Sequence, residues 1–334
     1  MNPPAPTRRP TDLDRLDGED PSMPATLLHL PWIDPHNHAH TLSWSDREAY
    51  ALSGCVGMVM VASGSHWTPY RPVRPEDVRF LWDQALDRRA ALVAEHGFDA
   101  RLSVGVQTGV RVEGVDELLV AMDGYCAMDE VVAVGEIGVR PTQQGEAWPL
   151  AEQRAAIEGQ AAVADRHGLP LVLHTPSSAV EVSGDYRPGV GIPGYEKLTS
   201  LSAEPVLEGP GAALEAVRLD VEAVRDAGLP EDRVVASHAD PEIAPFLAEE
   251  TDCYLSYMLG NSWLTGVTAA TVADAIEAYG SDRVMVETDC ADVIRSDPYA
   301  VKRAVLELYR LGVDVDAIRR VVYENPRDVF GFGV

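Results

Sequence analysis

Basic residues are scarce for a chain of this size: 27 Lys and Arg stand against 53 Asp and Glu, a formal net charge of −26. That balance disfavours extended electrostatic contact with nucleic acid or an anionic membrane. Cysteine is scarce too. The four, Cys55, Cys126, Cys253 and Cys290, show no CxxC spacing, so a disulfide framework is not expected and a reducing compartment is. No apolar run reaches the ~18 residues of a membrane span. Arg8-Arg9 is followed by prolines and acids rather than the apolar core of a signal peptide. A cytoplasmic location with no membrane partner is the expectation. Also missing is a Gly-rich nucleotide-binding turn after the first apolar run, which weakens a dinucleotide-binding reading.

What is present is enough apolar residue, 46% of 334, to bury a sizeable core. Residues 1 to about 25 are rich in Pro, Asp and Arg and are expected to form a flexible tail. The remainder, 26–334, reads as one domain in which short apolar runs alternate with helical patterns. Strands are predicted over Leu28–Asp34, Gly57–Val61, Leu102–Val106, Val131–Glu136, Leu171–His174, Val234–His238, Cys253–Tyr257 and Val284–Glu287. Most are continuous apolar runs, as parallel strands buried on both faces require. Helices are predicted over Pro75–His96, Leu150–His167, Ala212–Ala227, Pro241–Glu249 and Thr271–Tyr279, several stopped by Gly, and over Pro298–Leu311 and Asp316–Tyr323 after the last strand. Eight such units predict an α/β fold, a (β/α)8 TIM barrel, with a doubly wound open sheet as the alternative. The connection after the fifth strand, about 175–210, is long and rich in Gly, Pro and Ser. Because it leaves a strand ending in His174, it is read as a lid rather than a decorative insertion.

The polar residues gather at strand ends. The run Ile33-Asp-Pro-His-Asn-His-Ala-His places His36 and His38 two apart, on one face of an extended strand, where two imidazoles can share a metal ion. Alone, the pair is equally a surface turn. Glu136, however, ends the fourth strand, His174 the fifth, His238 the sixth and Asp289 the eighth. In a parallel barrel all these ends share one rim, where barrel enzymes keep their chemistry. Four imidazoles and two carboxylates there predict two divalent metal ions, bridged by a carboxylate at a separation of about 3.5–4 Å and able to ionise a water.

The pattern Asp34-x-His36-x-His38, then Gly135-Glu136-Ile137-Gly138, His174, His238 and Glu287-Thr288-Asp289 resembles the TatD-related metal-dependent hydrolases of the amidohydrolase superfamily. The resemblance runs from about Ile33 to Asn325-Pro326 and takes in Gln160 and Gly168-Leu169-Pro170. It implies that His36 and His38 bind one metal with Asp289, that His174 and His238 bind the second, and that Glu136 bridges both. It further implies that Asp289 orients the water and takes its proton. Asp34 is expected on the same strand face as His36, as a partner for a ligand imidazole. Glu287 shares a face with Asp289 and is equally a buried structural hydrogen-bonder. Zinc suits such a ligand set, with manganese, iron, nickel or magnesium as alternatives.

The departures bear on substrate. Where the family reads Gly-Ile-His-Pro, this chain has Gly105-Val106-Gln107-Thr108; where it reads Leu-Asp after Gly-Glu-Ile-Gly, this chain has Val139-Arg140. Gln107 and Arg140 are therefore candidate substrate contacts. Arg140 could hold a carboxylate or phosphate through its planar fork, or be an exposed loop charge paired with Glu146. His40 and His66, in loops on the same face, are further candidates beside a plain surface role. Cys290 is expected to pack rather than attack. The expected activity is hydrolysis of an ester, phosphoester, lactone or amide in a small molecule. One alternative is a TatD-type 3'-5' DNA exonuclease. Acidity, Gln107, Arg140 and the insertion argue against it, while Trp44, Trp67, Tyr70 and Arg71 near the rim would serve it. The other is a non-hydrolytic or catalytically silent metal-binding barrel.

Overall fold

The computed structural model describes residues 23–63, 72–109, 111–141, 148–176, 206–209, 211–261, 265–291 and 297–334. Nearly all of the expected tail, His66 with Trp67, Tyr70 and Arg71, Glu146, and 177–205 of the expected lid lie outside the described residues.

Eight strands form the frame: β1 (Trp32–Asn37), β2 (Cys55–Ala62), β3 (Asp99–Val104), β4 (Val131–Ile137), β5 (Leu171–His174), β6 (Val234–Ser237), β7 (Tyr254–Met258) and β8 (Val284–Glu287). They pair in sequence order through seven parallel ladders. With helices between them, this is the (β/α)8 TIM barrel that the apolar runs predict. The interior is packed by Ile33, Val59, Ala133, Val172, Val235 and Met285, one from each of six strands, with Phe330 and Phe332 from the C-terminal end among them. A second apolar layer lies between strands and helices and includes Trp32, Trp82, Leu102, Ile157 and Leu308.

The helices Pro75–His96, Leu150–His167 and Ala212–Ala227 span the predicted residues, each stopped by a glycine in the left-handed region. Helices that the pattern does not predict include Trp44–Leu52 and Val115–Cys126, of 9 and 12 residues. The first carries its own start signal: the Ser43 hydroxyl accepts from the Asp46 N–H at 3.2 Å, the serine-to-acid spacing of an N-cap. The helix expected over Asp316–Tyr323 changes character, passing from Val315–Arg319 into a π-turn over Arg320–Glu324. Asn325 follows, and its amide donates to the carbonyls of Ser281 and Val284 at 2.8 and 2.7 Å, pinning the entry to β8.

Two register slips aim the functional side chains. In β1, Asp34 pairs with Met58 and Asn37 with Met60, three residues against two. In β4, Gly135 pairs with Val172 and Ile137 with Leu173, two against one. Each extra residue is a bulge that shifts the alternation of side chains by one. His36 and Glu136 thereby turn toward the mouth of the barrel. Asp34 does not share their face, which corrects the expectation that it backs a ligand imidazole. Its carboxylate instead joins β8 to β1, accepting from the Thr288 N–H at 3.1 Å and the Thr288 hydroxyl at 2.6 Å.

The Gly-Glu-Ile-Gly run is built for close approach. A methyl group on Gly138 would stand 2.3 Å from the His174 carbonyl oxygen and 3.2 Å from Asp220 Oδ2. Gly138→Ala is expected to cost about 1–3 kcal/mol, the range for forced overpacking, read as a lowered urea midpoint at unchanged slope. An unshifted midpoint would show that the β4–β5 rim yields.

Candidate metal centre

Glu136 is the hub. It is buried, and its Oε2 lies 2.7 Å from His174 Nδ1, 3.4 Å from His36 Nε2 and 3.5 Å from His238 Nε2. Its Oε1 lies 4.0 Å from His38 Nε2. Asp289 Oδ1 stands 3.3 Å from His38 Nε2 and 3.7 Å from His36 Nε2. The six residues expected at the rim are thus brought together. Among the described residues, groups able to hold a cation include His36, His38 and Glu136, and Glu136, His174 and His238. The two share Glu136.

The imidazoles are oriented from behind. His38 Nδ1 lies 2.9 Å from the Val61 carbonyl. A carbonyl only accepts, so Nδ1 carries the proton and Nε2 presents a lone pair to the site. His36 Nδ1 contacts the Ser237 hydroxyl at 2.9 Å, which leaves its buried Nε2 without a hydrogen-bond partner. His238 Nδ1 lies 3.0 Å from Glu287 Oε1, which also accepts the His238 N–H at 3.0 Å. Glu287 Oε2 takes the Ser256 hydroxyl. Glu287 therefore holds His238, one of the candidate ligands, from behind. Such outer contacts fix tautomer and ring angle at metal sites.

Among the described residues, two other than glycine adopt the left-handed region, His238 at φ 66° and Asp289 at φ 48°. Both are at the site, where backbone strain concentrates when surrounding bonds over-determine it. For Asp289 those bonds are its N–H to the His36 carbonyl at 3.0 Å and its carbonyl to the Asn261 amide at 2.7 Å.

The electrostatics match a cation site. Burial opposes ionisation of Glu136, but the His174 and His36 rings outweigh it and hold the carboxyl well below its usual range. Asp289 is likewise held low, burial being overcome by His238 and His38. His238 is pushed well up and His38 up, Asp289 and Glu136 prevailing over burial. Burial dominates at His36 and lowers it. Two carboxylates thus demand positive charge among them, which imidazolium protons or metal cations can supply. The orphaned His36 Nε2 and the His–carboxylate donor set fit the latter.

The substrate candidates divide. Gln107 is buried and its amide donates to Glu136 Oε1 at 2.8 Å, with the Ser63 hydroxyl on the same oxygen at 3.3 Å. It orients Glu136 rather than pointing at open space. Arg140 is 2% exposed, which corrects the exposed-loop reading, and its Nη1 contacts His174 Nε2. His40 is partly buried with Nδ1 unpartnered; burial, with His38 and Arg88 near, lowers it to about 3. Cys290 is buried and packs, as expected. Ser63, Ser237, Asn261 and Tyr50 were not anticipated. Ser237 offered a signal, a lone polar residue inside the apolar run before His238.

Gln107→Leu is expected to weaken metal affinity about 10- to 100-fold, the usual effect of losing an orienting partner, in a chelator-competition titration. Equal affinities in the two proteins would reject this role.

The family model for TatD related DNase matches residues 33–185. An uncharacterized metal-dependent hydrolase of Methanocaldococcus jannaschii is 22% identical over 299 residues, 89% of this chain and 99% of that protein. The chain is thus similar to TatD-related metal-dependent hydrolases. Its fold is shared by the TatD-like protein of Archaeoglobus fulgidus, at TM-score 0.60 and 18% identity over 90% of this chain and 100% of that one. The phosphotriesterase homology protein of Escherichia coli, with phosphate in its active site, superposes at TM-score 0.61 and 14% identity, over 90% and 99%. This TatD-like chain differs from the family pattern at Gln107 and Arg140, both within the matched segment and both at the site. No described helix is long and apolar enough to cross a membrane.

Proposed function

We propose that the chain hydrolyses an ester, phosphoester, lactone or amide bond of a small molecule, using two divalent cations, most suitably zinc. His36, His38 and Asp289 would hold one, His174 and His238 the other, with Glu136 between them. When bound, such ions lower the pKa of water and polarise the attacked group. The observation that carries the reading is the convergence of imidazoles from β1 and from the ends of β5 and β6 on one buried carboxylate.

The chain's own residues do the rest. Asp289, held ionised, is the general base and takes the proton of the attacking water. Its strained backbone fixes the carboxylate beside His38. Gln107 and Ser63 hold one oxygen of Glu136, and Glu287 and Ser256 hold His238, so little reorganisation accompanies reaction. The small-molecule preference rests on the net charge of −26 and on the residues that replace the family's own at the rim. The four cysteines are buried thiols, in keeping with a cytoplasmic protein. The name of the matching family model favours a second reading, hydrolysis of DNA phosphodiesters.

The test is a panel of phosphodiesters, lactones, amides and single-stranded DNA, run after loading with Zn2+ or Mn2+. A metal-dependent small-molecule activity abolished by Asp289→Asn is expected. Degradation of DNA at low enzyme concentration, lost in the same variant, would replace that reading with the nuclease.

A further inference from the structure

Arg140 makes a contact that a metal at His174 does not permit. Its backbone N–H donates to Gln153 Oε1 at 2.9 Å, and the Gln153 amide donates to the Trp148 carbonyl at 2.7 Å, so the base of the side chain is anchored. Its guanidinium is buried and reaches His174, with Nη1 against Nε2. A guanidinium has donors only and does not lose its proton. His174 Nε2 therefore presents its lone pair to Arg140, and Nδ1 carries the hydrogen, donated to Glu136 Oε2 at 2.7 Å.

A cation among Glu136, His174 and His238 requires the opposite tautomer. The nitrogen facing Glu136 is Nδ1, and a ligand nitrogen must offer its lone pair. The hydrogen then sits on Nε2, where it meets the N–H of Arg140. Donor faces donor, and a second positive charge has arrived nearby.

We propose that metal binding at His174 releases the Arg140 guanidinium from the imidazole, and that the released guanidinium grips an anionic group of the substrate, a carboxylate or a phosphate. This rests on the di-metal hydrolase reading and deepens it by naming the substrate class. The fork geometry of a guanidinium matches both oxyanions. In a chain of net charge −26, a buried cation on the site wall sets the sign of what can approach. A rival resting place exists: Asp220 Oδ2 is buried without a hydrogen-bond partner and lies beside Gly138. Burial pushes the Asp220 carboxyl well above its usual range in spite of Arg140, which makes it a weak competitor for a guanidinium.

The experiment compares wild type, Arg140→Gln and Arg140→Lys. Metal content and stepwise Zn2+ affinity are measured by chelator competition. Inorganic phosphate binding to the metal-loaded proteins is then measured by calorimetry. Arg140→Gln is expected to bind phosphate about 30-fold more weakly, as for loss of a charge-assisted pair. It is also expected to bind the weaker of its two Zn2+ ions more tightly, because a competitor for His174 is gone. Arg140→Lys, which keeps the charge and the fold but not the fork, should fall between for phosphate. Phosphate affinities of both variants within about threefold of wild type, or an unchanged Zn2+ profile in Arg140→Gln, overturn the inference while leaving the hydrolase reading intact. A wild-type protein that takes up no metal overturns both.

Discussion

A Glu136→Gln protein is expected to lose its bound metal and, with it, at least about a thousandfold in metal-dependent hydrolysis, since several kcal/mol of charge stabilisation is worth about three decades in rate. The size follows from position. Glu136 Oε2 touches three imidazoles within 3.5 Å, and the group with His38 and the group with His174 both contain it. Removing one histidine would spoil one cation position; removing this carboxylate spoils both. Glutamine matches its shape, so the barrel should persist. The amide has one acceptor oxygen, and its NH2 would set two hydrogens among lone pairs that ought to meet a cation. Atomic emission per chain reads the metal, and circular dichroism confirms the fold. An Glu136→Gln protein carrying the wild-type metal content would remove Glu136 from the centre of the mechanism.

Much of this was legible in the residues, for identifiable reasons. A parallel strand buried on both faces writes a continuous apolar run, so β5 and β8 were located to the residue. A left-handed glycine after a helix marks its end, so three long helices were placed correctly. Because barrel chemistry sits at strand ends, finding the strands also found the rim histidines. What was hidden is what backbone alternation cannot express. The bulges in β1 and β4 each change which face a residue occupies, and nothing in an apolar run announces them. β3 stops two residues short of its predicted end because a side chain takes over: Gln160 accepts from the Val106 N–H at 2.8 Å and donates to the Val106 carbonyl at 3.1 Å. Arg140 read equally as a substrate clamp and as a loop charge, because its burial depends on tertiary contacts with His174 of β5 and with Gln153 of the helix that begins at Leu150.

Asp34→Ala is expected to cost about 3–5 kcal/mol of stability, two buried donors losing their acceptor at about 1–3 kcal/mol each. Seven ladders join the strands, and the β8–β1 seam relies on other contacts at its rim. Asp34 supplies two of them, to the Thr288 N–H and hydroxyl, while the Tyr50 hydroxyl meets the same Thr288 oxygen at 2.5 Å. Above them, the Asp289 N–H reaches the His36 carbonyl and the His38 N–H reaches the Cys290 carbonyl, at 3.0 and 2.9 Å. Burial raises the Asp34 carboxyl to about 7 against the pull of Thr288, so the site tolerates a neutral acceptor better than none. Asp34→Asn should therefore lose less than Asp34→Ala. Because bound metal would add its own stabilisation to either protein, the comparison belongs in urea with chelator present. Loosening this seam should also move His36 and Asp289, so metal affinity should fall in Asp34→Ala even where the protein remains folded. Equal midpoints for Asp34→Ala and wild type would mean that the barrel closes by packing alone, and Thr288 would then be the wrong place to look for what holds Asp289 in line.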